Sequence, residues 1–390
     1  MKFFCSHRMS WPYLAEDFDE KHDSAWIWAS NQLYDPIKGQ QLYQEYLDSL
    51  AYADELGFDG VCIHEHHQTA YCLTPSPNLM AAALTQRTTR CQIAVLGTAL
   101  PFYDPPLRVA EEFAMLDVMS GGRLVAGAVL GSGPDYFTYA VNPTTALEKL
   151  REALDLIVKA WSENEPFPWN SKHYHFRYVN LWPTPIQKPH PPIWISDIGT
   201  QEMIEFVAAR RASYVSVPCF HIDVYKELFQ RFRDACGKHG YTPQTEQMGW
   251  TVPVYVAETD TQAREEFEGP VWYFVKNLLK GIRTSPPGYM SGQSATRQLK
   301  NSARFLSSQK TWSDLEDGGF LICGSPETVR QKLERYSDEL GGGIVLAECQ
   351  VGSLSHELTR KSMELFAREV MPQVRNTITK TRPSETESSS

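Results

Sequence analysis

No stretch of this chain concentrates lysine and arginine, and none of its 8 cysteines forms a Cys-x-x-Cys pair. With 37 basic residues against 47 acidic ones, the net charge is -10. A surface that neutralises phosphates is therefore missing, and nucleic acid is not an expected partner. Several cysteines lie inside apolar runs, as in Asp59-Gly-Val-Cys-Ile63, where they read as small core hydrophobes rather than a disulfide framework. No apolar run approaches the length of a membrane span, and Met1-Lys-Phe-Phe-Cys5 is strand-like, without the apolar core of a signal peptide. A cytoplasmic protein with no membrane partner is expected. A Gly-x-Gly-x-x-Gly fingerprint after a strand is also missing, which leaves a nicotinamide dinucleotide without a recognisable site.

What the chain does have is a globular composition, 390 residues with 42% hydrophobic, and a regular alternation of short apolar runs with helical patterns. The strand candidates are 2–6, 59–64, 92–98, 123–130, 192–196, 213–217, 250–256 and 343–349. Most are continuous apolar runs, as strands covered on both faces must be. Eight of them predict an α/β fold, a closed (β/α)8 barrel (TIM barrel), with a doubly wound open sheet as the competitor. Helices are punctuated by Gly57, by Ser76-Pro77, by Gly121-Gly122 and by Ser325-Pro326. Residues 163–191, rich in proline and aromatics, predict an ordered extended loop. Residues 258–320 are too long for one helix and predict an insertion after strand seven. One domain over 1–375 and a disordered polar tail over 376–390 complete the expectation.

The densest cluster of chemistry is Gly57-Phe-Asp-Gly-Val-Cys-Ile-His-Glu-His-His67. A strand ends in four ionisable residues, on the barrel face where such folds keep their sites. Burying four polar groups there for packing alone would require a partner for each. Histidine also titrates near neutral pH, which suits proton transfer. His64-Glu-His66 has the spacing of a metal-binding pair, but the later strand ends supply no further histidine except His221, several residues beyond its strand, and no metal is expected.

At this point the chain resembles the bacterial-luciferase-like, flavin-dependent monooxygenases. Four blocks carry the resemblance, in the family's order and spacing from residue 1 to about 373. They are Gly57-Phe-Asp-Gly-Val with Glu65-His-His67, then Ile93-Ala-Val-Leu-Gly-Thr-Ala-Leu-Pro101. Val109-Ala-Glu-Glu-Phe-Ala-Met-Leu-Asp117 follows with Ser120-Gly-Gly-Arg-Leu124, and last Gly324-Ser-Pro-Glu-Thr-Val329 with Glu364-Leu-Phe-Ala-Arg-Glu-Val-Met-Pro372. The resemblance implies FMN at the C-terminal mouth, used in its reduced form with dioxygen and supplied by a separate flavin reductase. It assigns proton handling to His66, support to His67, and a partnering role to Glu65. The segment Gly97-Thr-Ala-Leu100 matches a stretch against the flavin ring, with Thr98 and Ala99 as the expected contacts and a cis peptide expected at Ala99–Leu100. The strand-five loop, with Asp197, Gly199, Thr200 and Gln201, matches the phosphate site, and a helix start there suits an anion independently.

Two departures from the family pattern stand out. The stretch after Asn142-Pro143 has no arginine before Arg151, so Lys149 is the expected substitute on the phosphate, a point charge without a fork. Val129 stands near the reactive cysteine of luciferases proper, so light emission is not implied. His7, Trp11 and Tyr136 are candidates for the wall of a substrate pocket, with plain packing as the alternative. The function expected is oxygenation of a small, largely apolar organic substrate by a homo-oligomer, dimer or tetramer. A deazaflavin-dependent reductase or dehydrogenase on the same barrel, and a flavin carrier without catalysis, are the alternatives.

Overall fold

The computed structural model describes residues 1–279, 288–289, 292, 296 and 311–381. Eight parallel strands close a barrel: β1 (Lys2–His7), β2 (Gly60–Ile63), β3 (Gln92–Ala99), β4 (Leu124–Val129), β7 (Ile193–Asp197), β8 (Ser213–Ser216), β9 (Met248–Val256) and β11 (Ile344–Gln350). They pair in that order, and β11 returns to β1, with Cys5 opposite both Val61 and Ala347. The (β/α)8 barrel expected from the apolar runs is the fold. A short β10 (Ile322–Gly324) adds to the end of β9, so that strand has three neighbours.

The barrel is plugged rather than hollow. Phe4, Cys62, Leu96, Val125, Trp194 and Leu346 point inward, and the Phe4 and Trp194 rings meet at 4.8 Å. Gly60 makes room for this plug, since a Cβ there would lie 2.1 Å from the Phe4 ring. The opposite faces of the strands carry Phe3, Val61, Ile93 and Leu124 into the larger core under the helices. Side chains alternate along a strand, so two residues above the apolar plug Ser6, His64 and Glu348 form a polar layer. That layer lies beneath the site, which it reaches through His64.

The connecting helices begin where the sequence supplies a cap. The chain enters α1 (Phe18–Lys21) and then α2 (Pro36–Leu56), which starts where Asp35 accepts from Ile37 and Lys38 N–H and ends on Gly57 at φ 84°. Next come α3 (Pro77–Thr85), α4 (Leu107–Ser120), α5 (Gly133–Thr138), α6 (Pro143–Ser162), α7 (Gln201–Ala209), α8 (Ile222–Lys238) and α9 (Asp260–Tyr273). After the stretch outside the described residues follow α10 (Trp312–Asp317), α11 (Pro326–Leu340), α12 (His356–Leu365) and α13 (Met371–Thr381). The middle of the insertion expected after strand seven falls in that undescribed stretch.

Two expectations change. Within 163–191 the chain forms an antiparallel hairpin, β5 (Phe167–Asn170) with β6 (His175–Val179), because Trp169 and Phe176 pair across it and pack near Leu156. The first residues of the expected disordered tail belong to α13, whose Met371 and Val374 are buried. Residues 382–390 lie outside the described ones. Among the described residues no helix is long and apolar enough to cross a membrane.

Candidate active site

A cavity of about 470 Å³ opens at the C-terminal mouth of the barrel, within the size range of sites for small molecules and cofactors. Its floor is Ser196, Thr251 and His64, with Arg8 at the end of β1. One wall is aromatic, Trp26 and Tyr71. Another is the pair of chain segments Leu96–Gly97 and Val129–Gly133. The N-terminal ends of α5, α6 and α7 close the rim with Gly133, Thr144 and Thr200.

The end of β2 holds two carboxylate–imidazole pairs. His66 Nδ1 lies 3.1 Å from Asp135 Oδ2. Asp135 is buried, yet its carboxyl sits below the usual range: burial pushes it up, and the His66 ring and the Ser132 hydroxyl outweigh that. An ionised carboxylate only accepts, so His66 Nδ1 carries the proton of this hydrogen bond. Trp26 and Tyr71, stacked at 4.0 Å, meet the His66 ring edge-on at 4.8 and 5.2 Å. The ring is thus fixed by packing as well as by the hydrogen bond.

In the second pair Glu65 reaches the cavity wall and His67 lies behind it, off the cavity. His67 Nε2 lies 2.8 Å from Glu65 Oε1, and Glu65 Oε2 also accepts from Ala99 N–H at 3.3 Å and the Tyr103 hydroxyl at 3.2 Å. His67 packs against Phe102 and Tyr139, and its Nδ1 is buried without a partner among the described residues. Glu65 therefore ties β2 to β3, and His67 holds Glu65.

Two further polar pairs reach the cavity through one member each, His64 and Arg8. His64 Nε2 meets the Ser6 hydroxyl at 2.7 Å, and burial, helped by Arg8, draws this histidine down to about 3. Arg8 pairs with Glu348 of β11. Among the described residues no group of three or more histidines, cysteines or acids is arranged to hold a metal ion.

Of the residues singled out in the sequence, Glu65, His66, Val129, Tyr136, Asp197 and Thr200 line the cavity. His67, Thr98, Ala99, Lys149, Gly199 and Gln201 do not. The cis peptide is at Leu96–Gly97, not Ala99–Leu100. The ladder between β3 and β4 shifts between Val95 and Thr98, and this irregularity turns Leu96–Gly97 to the cavity in place of Thr98–Ala99. The phosphate loop also differs. Gly199 N–H, Thr200 N–H and the Thr200 hydroxyl all donate to Asp197 Oδ2, at 2.9, 2.7 and 3.0 Å, so the chain's own carboxylate holds the donors expected to hold an anion. Thr200 leaves the first turn of α7 without a side-chain cap. Arg151, rather than Lys149, reaches that turn: its Nη2 lies 3.5 Å from the Glu202 carbonyl, and its buried Nε has no partner among the described residues.

His7 and Trp11 are not at the mouth. His7 lines a second cavity of about 220 Å³ beside His356, and Trp11 packs on Tyr13 and Tyr34. The residues missed in the sequence are Asp135, Arg8 and Glu348. Asp135 sits 69 positions from His66, and its only local signal was the spacing Ser132-x-x-Asp135 at a helix start after strand four. Arg8 and Glu348 were legible only as lone charges at the ends of apolar strands.

The model of the family described as luciferase-like monooxygenase matches residues 26–342. The chain belongs to that family. Among curated relatives, this luciferase-like chain is 28% identical over 234 residues to a flavin-dependent trigonelline monooxygenase, oxygenase component, from Acinetobacter baylyi. That match takes in 58% of this chain and 62% of the relative, so the chain spans less than two thirds of that enzyme. It is 23% identical over 360 residues to 2,5-diketocamphane 1,2-monooxygenase 1 from Pseudomonas putida, covering 86% and 95% of the two chains. Among solved structures it resembles the oxygenating constituent of 3,6-diketocamphane monooxygenase from Pseudomonas putida in complex with FMN. The TM-score is 0.75 at 22% identity, covering 96% of this chain and 98% of that one.

Proposed function

We propose that the chain is the oxygenase component of a two-component flavin-dependent monooxygenase, one domain over 1–375. It would take reduced FMN from a separate reductase and use dioxygen to oxygenate a small organic substrate. The observation that carries this reading is His66, fixed by Asp135 and walled by Trp26 and Tyr71, facing an apolar cavity at the mouth of a luciferase-like barrel.

The cavity suits the cofactor chemically. Leu96, Gly97, Val129 and Leu130 offer a flat apolar surface to a ring system. The uncapped first turn of α7, at Gln201 and Glu202, has backbone N–H groups for a phosphate, with Arg151 beside it. The FMN-bound likeness and the relatives named as flavin-dependent support FMN. Reduced flavin supplies the electrons with which one oxygen atom enters the substrate and the other leaves as water. The chain's residues do the rest. His66 Nε2 gives or takes the proton at the reacting centre, and Asp135 holds the ring in the tautomer that allows it. Trp26 and Tyr71 keep bulk water from that proton. Glu65, which accepts from Ala99 N–H, and His67 hold the end of β3 in place at the cavity.

The test is binding. Reduced FMN should quench the tryptophan fluorescence at lower concentration than oxidised FMN, and a deazaflavin coenzyme should not. With a reductase added, one substrate class should raise dioxygen consumption above the uncoupled rate. Preferred binding of the deazaflavin, or rapid oxidation of NADH by the chain alone, would overturn the reading.

A further inference from the structure

Arg8 is the one lysine or arginine in the cavity wall among the described residues. It follows β1 immediately and is almost wholly buried. Its guanidinium lies against both the Tyr71 and the Phe274 rings, 4.9 and 5.0 Å from their centroids. Of the five N–H donors that a guanidinium carries, those of Nη2 face Glu348, and the others have no acceptor among the described residues. Stability does not explain such a pair. Removing two charges from water costs about as much as their attraction returns, and apolar residues of the same volume would serve the barrel as well. The other acids of the inner cavity are accounted for: Glu65 by His67 and Tyr103, Asp135 by His66 and Ser132, Asp197 by its own loop.

We propose that Arg8 makes this cavity selective for an organic anion, and that the substrate is a small aromatic or apolar molecule held by a carboxylate at Arg8. This deepens the function proposed above and rests on it. The aromatic side of the cavity, Trp26, Tyr71 and Phe220, takes the apolar body. The free donors of Arg8 take the carboxylate, a pairing that guanidinium geometry favours. Glu348 tunes the site. Burial already pushes its carboxyl up, so a second carboxylate beside Arg8 is met by a proton on Glu348 instead of by two adjacent anions.

Titration calorimetry of the full-length protein with benzoate and with its neutral isostere benzamide tests this, with and without FMN. Wild type should bind benzoate at least tenfold more tightly than benzamide. Glu348→Gln, which leaves Arg8 unopposed, should tighten benzoate further and leave benzamide unchanged. Arg8→Met combined with Glu348→Gln removes the pair together, so no charge is left buried alone, and should lose the preference while keeping the melting temperature. Equal binding of the two probes by wild type, or a preference that survives in the double variant, would overturn the proposal. FMN affinity is read separately on the same samples: its failure would count against the flavin reading and leave the benzoate comparison to decide the role of Arg8.

Discussion

His66 and His67 are neighbours in the chain and have different surroundings. His66 touches the cavity and Asp135, whereas His67 is sealed behind Phe102 and Tyr139 on Glu65. Their substitutions should separate accordingly. His66→Ala and Asp135→Asn should each fold, bind FMN as wild type does, and lose about 100-fold in product formation. Peroxide released without product should rise as a fraction of dioxygen consumed. Because the two groups act as one unit, the double variant should be little worse than either single one. His67→Ala should instead lower the melting temperature, since it strips a buried carboxylate of a donor, and should change the chemical step less. Measured turnover, peroxide yield and thermal melts check this, and an Asp135→Asn enzyme with full coupled turnover would defeat the His66 assignment. The roles of Glu65, His66 and His67 were approachable from four ionisable residues at one strand end. Asp135 was not, because the bond that matters spans two βα units and nothing near Asp135 in the sequence points to β2.

At the scale of elements, the strands were legible because burial on both faces writes them as continuous apolar runs, and the ends agree within one or two residues for most. What escaped was local and short. β10 has three residues, too few for any periodicity, and the β5–β6 hairpin carries Pro168 and exposed positions that read as loop. The shift in the ladder between Val95 and Thr98 has no sequence signature, and the cavity-facing pair is Leu96–Gly97, two residues before the expected Thr98–Ala99. The C-terminal helix α13 shows the limit of reading polarity alone. Its Val374 is buried, and Arg375 bonds Asp59 at 2.5 Å, the same carboxylate that accepts from Phe3 N–H at the start of β1. Ending the chain at Arg375, which removes Asn376 to Ser390, should leave the melting temperature and FMN affinity unchanged. Ending it at Val370 removes Met371, Val374 and Arg375 and should cost several degrees, mainly from the two buried apolar side chains. Arg375→Ala alone should cost less than about 1 kcal/mol, as half-exposed ion pairs do. Melts of the three variants decide; a large loss on removing only the tail would mean that the tail packs on the barrel.

At the scale of the whole molecule, the barrel stacks an apolar plug, a polar floor and an open mouth, and its polar groups set how the fold responds to acid. Two histidines are held uncharged. Burial draws His64 to about 3, and burial reinforced by His356 does the same to His7. Their ordinary value is 6.5, so between pH 6.5 and about 3 the unfolded chain binds protons that the folded chain refuses. Stability must then rise with pH across that window and drain away as pH falls through it. Carboxylates with lowered values behave differently. Asp54, which accepts from the backbone N–H groups of Thr89, Arg90 and Cys91, keeps its contribution until pH drops below 3.8, at the bottom of the window. His7 is the cleaner probe because it lies outside the proposed active site, in the second cavity, where its Nδ1 accepts from Met9 N–H. His7→Gln keeps an acceptor and abolishes the titration. Relative to wild type, this variant should gain melting temperature steadily as pH is lowered from 7 to 4.5, whatever offset the substitution itself introduces at pH 7. A difference between the two that stays constant across that range would mean that the folded chain accepts a proton on His7 as readily as the unfolded one does.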